Sequence, residues 1–126
     1  MLFRLSVIAL TASLVACTQV PVLSLPVSSA NQCSESEGVS LRYNTLTIAL
    51  GARPSAGYSV ELLSKTNKEQ RYFLRYQERT PDPSMRHVQI MTSPCTMIVL
   101  PQGWQSVEVT NAQTDEVTRF TAQTAQ

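Results

Sequence analysis

The sequence has few of the residues from which enzyme active sites are built. It contains one histidine, His87, and four glycines, no two of them adjacent, in 126 residues. A hydrolase needs a nucleophile, a base and a group that orients the base, and the chain offers no such set. Ser93 stands before Pro94 without the Gly-x-Ser-x-Gly turn of many hydrolases, and no glycine-rich loop is available to hold a phosphate. The sequence therefore predicts a protein that is not an enzyme.

Two further arrangements of residues could carry chemistry, a pair of carboxylates and a metal site. Glu78 and Asp82 lie near prolines, and two carboxylates can form a glycosidase pair, although a solvated loop explains them as well. Cys33, Cys95 and His87 do not make four metal ligands, and their spacing matches no zinc pattern. We therefore expect no catalytic residue, no metal and no cofactor.

An excess of charge of one sign is also missing. Ten Lys and Arg residues face nine Asp and Glu residues, and removal of residues 1–16 would take away Arg4 and leave nine of each. No basic patch stands out, so binding to nucleic acid or electrostatic binding to a membrane has little support. We also expect no small-molecule substrate.

The apolar run near the start of the chain is too short to cross a membrane. "LSVIALTASLVA" has twelve residues, whereas a spanning helix needs about 18–20, and this length is typical of a secretory signal peptide. The run ends in "LVAC", which resembles a bacterial lipobox; an ordinary signal peptide cut after another small residue is the alternative. We expect residues 1–16 to be a lipoprotein signal peptide and Cys17 to carry the anchoring acyl chains, palmitate among them.

The residues after Cys17 indicate where the protein is held. Thr18 stands where an Asp would be expected for inner-membrane retention, and by resemblance to known lipoprotein sorting this favours the outer membrane, facing the periplasm. Residues 17–37 contain Pro21 and Pro26 among many polar residues, which predicts a flexible tether. The remaining residues, 38–126, are expected to form one β domain.

The remaining two cysteines predict a disulfide. Export would place Cys33 and Cys95 in an oxidising compartment, where one bridge between them is expected, and two free thiols are the alternative. Closing a loop of about 60 residues adds at most roughly 4 kcal/mol to the free energy of unfolding.

From residue 38 onward the apolar pattern has the period of β-strands. In "MRHVQIM", Val88 and Ile90 would share one face, and His87 would lie on the opposite, solvated face. No window of eleven or more residues outside the signal peptide has a helical apolar repeat. The pattern predicts an all-β fold, a small antiparallel β-sandwich or flattened barrel of seven to eight short strands. The predicted strands are "VSLRY", "TLTIALG", "YSVELLS", "RYFLRYQER", "MRHVQIM", "CTMIVL", "QSVEVT" and "EVTRFTA".

The stretch "ARPSAGY" between two predicted strands is the candidate contact loop. The candidate contact residues within it are Arg53, Pro54, Ser55, Ala56, Gly57 and Tyr58. Pro54 fixes φ at about −65° and Gly57 can adopt a positive φ, so the stretch can form a turn without any partner. We expect a mainly structural turn, with Arg53, Ser55 and Ala56 at an exposed tip and the Tyr58 ring packed on the domain; a partner contact is the alternative.

The segment from Pro54 to Tyr58, followed by an alternating strand, resembles the C-terminal domain of PrcB-type protease-complex subunits. The likeness continues in "ERTPDPSMRHVQIMTSPCTMIVLP", which has a Glu, a Pro-containing turn, a strand, Thr-x-Pro and an aliphatic strand ending in Pro, and it covers residues 46–101. The resemblance implies a lipid-anchored, non-catalytic binding or accessory module of the cell envelope. Its partner would be a protein, an exported protease or an envelope complex that it stabilises.

A second resemblance is to chagasin-like inhibitors of cysteine proteases, immunoglobulin-like domains whose Asn-Pro-Thr-Thr-Gly-[Phe/Tyr] loop enters the protease cleft. Pro54, Ser55, Gly57 and Tyr58 match or nearly match that loop, whereas Arg53 replaces its Asn. Neither the Gly-rich second loop nor the Arg-Pro-Trp third loop is found. This resemblance implies protease inhibition through the Arg53–Tyr58 loop as the alternative function.

Overall fold

The computed structural model of the chain describes residues 24–122. The expected signal peptide, Cys17 and the first part of the expected tether lie outside these residues. The described part consists of strands and loops, and no helix in it is long and apolar enough to cross a membrane. Its strands are β1 (Val27–Ala30), β2 (Gly38–Arg42), β3 (Thr45–Ala49), β4 (Ser59–Lys68), β5 (Arg71–Arg79), β6 (Cys95–Val99), β7 (Ser106–Asn111) and β8 (Val117–Thr121).

The strands form two four-stranded sheets. One sheet has the order β1-β6-β3-β2 and the other the order β4-β5-β7-β8. Within residues 24–122 no strand of one sheet extends the other, so the fold is a sandwich and not a flattened barrel. The all-β prediction is confirmed.

One strand pair departs from the expected antiparallel arrangement. β5 and β7 run parallel, with Tyr72 opposite Val107 and Leu74 opposite Val109. The chain leaves β5, forms β6 in the other sheet and returns as β7, which is the long crossover that a parallel pair requires. Alternation of apolar residues is the same for both strand directions, so the sequence pattern could not reveal this pairing.

The core lies between the two sheets. Alternate residues of the central strands β3, β6, β5 and β7 face it, and apolar residues of the connecting segments complete it. Each fully buried aliphatic side chain contributes about 1.5–3 kcal/mol to stability. The buried core residues are Leu25, Leu46, Ile48, Tyr72, Leu74, Ile98, Leu100, Trp104, Val107 and Val109.

The expected disulfide between Cys33 and Cys95 is present, with a Cα–Cα distance of 5.8 Å. It joins the β1–β2 connection to the first residue of β6. Two backbone hydrogen bonds lie beside it, from Cys33 N to Ser93 O at 2.9 Å and from Ser93 N to Asn31 O at 2.7 Å. The bridge and these hydrogen bonds therefore tie the β1–β2 connection to the start of β6 and to Ser93 before it.

Two segments contradict the sequence-based expectations. Residues 85–91 do not form a strand; they lie in the connection from β5 to β6, and Val88 and Ile90 are exposed. Residues 27–30, expected within the flexible tether, form β1 on the edge of β6, and Leu25 is buried in the core. The pattern failed because "VSSA" has no apolar alternation, whereas 85–91 alternates but has no neighbouring strand to pair with.

Candidate functional site

The 53–58 loop lies at one end of the sandwich, against residues 80–92. Ser59 at the start of β4 pairs with Arg79 at the end of β5, so the segment before β4 and the segment after β5 meet at the same end. Arg53 N donates to Thr92 O at 2.8 Å, and Thr92 N donates to Arg53 O at 2.9 Å. Ala56 N donates to the carbonyl of Val88 at 2.9 Å. The two segments are therefore paired with each other by main-chain hydrogen bonds.

Residues 80–92 bury part of the 53–58 loop. Ser55 is only 8% exposed, and the hydroxyl of the buried Thr92 donates to its carbonyl at 3.1 Å. The Ser55 hydroxyl makes a local hydrogen bond to the carbonyl of Ala56, which is itself half-buried. The exposed tip that the sequence predicts is not found, because residues 80–92 cover Ser55.

Gly57 has the positive φ that the turn predicts, 102°, and it is also a point of close approach. A Cβ at this position would lie 2.8 Å from Nδ1 of His87 and 2.9 Å from Cβ of Pro81. Nε2 of His87 is buried and has no hydrogen-bond partner among residues 24–122. The expectation of a solvated strand histidine is therefore wrong, because the ring packs on Gly57 and joins the two segments.

The side chain of Arg53 is held by β5 and is not at an exposed tip. Nε donates to Oε1 of Glu78 at 2.7 Å and Nη2 donates to Oε2 at 3.1 Å, a bidentate pair in which each side chain is 23% exposed. The hydrogen bond to Glu78 raises the pKa of Arg53 above its ordinary value. The guanidinium also lies 6.0 Å from the centre of the half-buried Tyr58 ring. Arg53 thus connects the loop to the sheet.

The two carboxylates that were considered as a catalytic pair have separate structural partners. Glu78 holds Arg53, and Oδ1 of Asp82 accepts hydrogen bonds from the Ser84 hydroxyl at 2.7 Å and the Ser84 amide at 2.9 Å. The Ser84 bonds lower the pKa of Asp82 below its ordinary value. Within residues 24–122 no group of three or more His, Cys, Asp or Glu side chains is arranged to hold a metal ion.

Residues 80–92 present four large apolar side chains to solvent. Met85, Val88, Ile90 and Met91, which we call the apolar patch, are between 55% and 70% exposed. The backbone beneath them is held by the bond from Ala56 to Val88 and by Nε2 of Gln32, which donates to the carbonyl of Met91 at 3.3 Å. These side chains therefore stand on a hydrogen-bonded base.

A groove of about 230 Å³ lies at the same end of the sandwich. We call it the acidic groove, because it contains the carboxylates of Glu37, Glu78 and Glu116, whereas Arg53 is the single basic residue among the described residues that line it. Burial raises the pKa of Tyr76, another lining residue, although a hydrogen bond to Asn111 opposes this shift. Its other lining residues are Gly38, Ala49, Leu50, Asn111 and Gln113.

Sequence reasoning identified the 53–58 loop but not its surroundings. The groove carboxylates are far apart in the chain and meet only through strand pairing. Residues 85–91 were singled out by their alternation, but as a strand. In the sequence, Thr92 was marked only as part of the Thr-x-Pro motif of the family resemblance.

Comparison with known protein families shows what part of the chain is similar to. Residues 45–101 match the family model described as PrcB C-terminal. The matched region runs from β3 through β6 and includes both paired segments, which confirms the resemblance seen in the sequence. Comparisons with curated proteins and with solved structures found no significant match, and the likeness to chagasin-like inhibitors has no support among these findings.

Proposed function

We propose that the chain is a non-catalytic accessory subunit that binds and stabilises an exported protease of the cell envelope, because residues 45–101 match the family model described as PrcB C-terminal. The family is one of protease-complex subunits, which favours a protein as the partner. The contact surface in this proposal is the apolar patch together with the loop that supports it.

The exposure of the apolar patch is the observation that carries the proposal. Removing apolar surface from water contributes about 25 cal/mol of favourable free energy per Å². Large exposed apolar patches on a protein surface mark sites of protein–protein interaction. Met85 and Met91 are unbranched and adapt to the shape of a partner. Because Thr92 and Ala56 hold the backbone in place, little conformational entropy is lost when a partner binds.

A lipid anchor at Cys17 completes the proposal. Leu25 is part of the core, so the seven residues 18–24 separate the anchor from the domain and span at most about 25 Å. In the β1–β6 pair, Val27 lies opposite Ile98 and Ala30 opposite Cys95. The chain thus enters at the Ile98 end of β6, whereas the patch precedes Cys95. We place the protein at the outer membrane, facing the periplasm, with the patch directed away from the bilayer.

Capture of the partner tests the proposed function. The tagged full chain is recovered from detergent-solubilised envelopes after crosslinking, and the bound proteins are identified by mass spectrometry. We expect an exported protease with the wild type and at least about tenfold less of it with Ile90→Ser plus Met91→Ser. The control is Leu63→Ser plus Val117→Ser, which changes two apolar residues of strands β4 and β8 that are 44% and 47% exposed. This variant should capture the protease as the wild type does.

Two results would contradict the proposal in different ways. Equal capture by the patch variant would exclude the patch as the contact surface. Failure of the wild type to capture any exported protease would exclude the accessory function itself. An unchanged melting temperature in both variants is needed to show that the fold is intact.

The anchor is tested independently with Cys17→Ala. This variant should no longer incorporate labelled fatty acid, and it should leave the membrane fraction. Unchanged labelling would show that Cys17 is not the lipidated residue.

Direct protease inhibition is the weaker candidate. A chagasin-like mechanism needs a loop tip that enters a cleft, whereas Ser55 is buried and Arg53 is held by Glu78. No observation in the described residues favours insertion of this loop.

A further inference from the structure

The acidic groove indicates what kind of segment the apolar patch binds. We propose that the patch and the groove together accept a partner segment that combines apolar side chains with a lysine or arginine. This inference rests on the proposed function, because it specifies the chemistry recognised by the same surface.

Arg53 brings the patch and the groove together. Its backbone pairs with Thr92, the residue that follows Met91 of the patch, and its side chain lines the groove beside Glu78. An extended segment covers about 3.3 Å per residue. A bound segment of a few residues can therefore contact both surfaces at once.

The charge of the groove favours a cation. Nε and Nη2 of Arg53 donate to Glu78, and Nη1 donates to the carbonyl of Ala52. Because Arg53 balances Glu78, the groove has an excess of negative charge from Glu37 and Glu116. This field attracts a basic side chain and repels an acidic one.

The size of the groove suits one long side chain. Its volume of about 230 Å³ is below the roughly 300–1,000 Å³ of typical small-molecule sites. Leu50 and Tyr76 provide apolar surface for the methylene stem of lysine or arginine, and Glu37 and Glu116 can receive the charged end. A basic residue among apolar ones therefore fits both its shape and its charge.

Two other occupants fit less well. The phosphate groups of a bilayer have the same sign of charge as Glu37 and Glu116. A second copy of the chain in a twofold dimer would place two acidic grooves in one interface, because such an interface uses the same surface on both subunits. The charge of the groove thus favours a protein other than this chain as the occupant.

Selection from a phage library of random twelve-residue peptides tests the inference. The full chain is immobilised in detergent micelles at about 50 mM salt, where charge interactions are weakly screened. We expect the selected peptides to be enriched in lysine or arginine flanked by apolar residues. A synthetic copy of the most enriched peptide should lose binding to Ile90→Ser plus Met91→Ser.

The role of the groove is measured with that same peptide. Glu37→Gln plus Glu116→Gln should weaken its binding at least about fivefold at low salt, and the difference should shrink at about 500 mM salt. The control, Glu61→Gln plus Glu69→Gln, removes the same number of charges from β4 and the turn after it, and it should bind as the wild type does.

Several results would overturn the inference. These are selected peptides without basic residues, equal binding by the groove variant, or no patch-dependent peptide at all. Patch-dependent binding to vesicles of phosphatidylethanolamine and phosphatidylglycerol, or patch-dependent dimerisation, would assign the surface to a bilayer or a second copy. Protease capture that survives the groove substitutions would overturn this inference alone, whereas the absence of capture would overturn the proposed function.

Discussion

The β7–β8 turn and the 53–58 loop are of similar length but are stabilised in different ways. In the β7–β8 turn, the Asn111 side chain accepts from Gln113 N at 2.9 Å, and the Asn111 carbonyl accepts from Asp115 N at 2.8 Å. Asn111 N in turn donates to the carbonyl of Glu116 at 2.9 Å. These three bonds lie within six residues, so they are specified by the sequence of the turn itself. Two further bonds tie the turn to β5, from Ala112 N to Tyr76 O at 2.7 Å and from Glu78 N to Gln113 Oε1 at 3.2 Å.

The 53–58 loop depends on residues much later in the chain. Arg53 pairs with Glu78 and Thr92, and Ala56 donates to Val88. The loop and residues 80–92 therefore determine each other's conformation, and the apolar patch depends on both. Substitutions in the loop should disturb the patch, whereas substitutions in the β7–β8 turn, which is tied to β5, should leave the patch unchanged.

The largest effect is expected from Gly57→Val. The positive φ costs a residue with a Cβ roughly 1–2 kcal/mol, and the collision with His87 and Pro81 adds about 1–3 kcal/mol. We expect the melting temperature to fall by roughly 10 °C or more, as measured by circular dichroism. Gly103→Val is the control, because Gly103 has a φ of 85° but, apart from its chain neighbours, no atom of residues 24–122 lies within 4 Å of its Cβ position. Equal losses in both variants would show that packing against His87 contributes nothing.

A smaller loss is expected from Arg53→Ala. Removing the bidentate pair with Glu78 should lower the free energy of unfolding by about 1.5–3 kcal/mol in urea denaturation. Arg119→Ala breaks the exposed pair with Glu108, in which Arg119 is 66% exposed, and it should cost at most about 1 kcal/mol. If the two losses are the same, Arg53 does not connect the loop to the sheet.

Thr92→Val keeps the shape of the side chain but removes the buried hydrogen bond to the Ser55 carbonyl. Its expected cost is about 1 kcal/mol of stability, together with faster amide exchange of Ala56, which is bonded to Val88. Unchanged exchange at Ala56 would mean that Thr92 does not hold the two segments together.

A still smaller effect should follow from Asn111→Ala. Loss of the side-chain bonds to Gln113 and to Tyr76 is expected to cost roughly 0.5–1 kcal/mol. Amide exchange should increase at Gln113, whereas Ala56 should exchange as in the wild type. Faster exchange at Ala56 would show that the β7–β8 turn influences the 53–58 loop, which would contradict the comparison.

The smallest effect concerns Asp82 at low pH. Because its pKa is lower in the folded chain than in the unfolded one, its contribution is complete above about pH 3.9, the unfolded value, and is lost as the pH falls through the folded value. Hydrogen exchange of the Ser84 amide, corrected for its intrinsic pH dependence, should therefore accelerate as the pH falls below about 3.9. Asp82→Ala should remove this pH dependence, and a dependence that persists in the variant would assign it to another group.

The same comparison explains how much could be predicted from the sequence. The predicted strand "RYFLRYQER" is present as β5, and the two-residue period of a strand puts Tyr72 and Leu74 on one face, which lies in the core. Gly57 was correctly expected at positive φ, since a turn signal is local. The burial of Ser55 and the packing of His87 could not be predicted, because both depend on contacts with segments that are distant in sequence. Alternation was misleading for Val88 and Ile90, which are exposed without a strand.

The central claim is that residues 85–91 form the contact surface, and hydrogen exchange of the free and partner-bound protein tests it most directly. We predict that exchange slows in residues 85–91 and around the acidic groove when the captured partner is bound, while the exposed amides at the β4–β5 turn exchange at the same rate in both states. Protection confined to the sheet edges β4 or β8, with residues 85–91 unchanged, would contradict the claim.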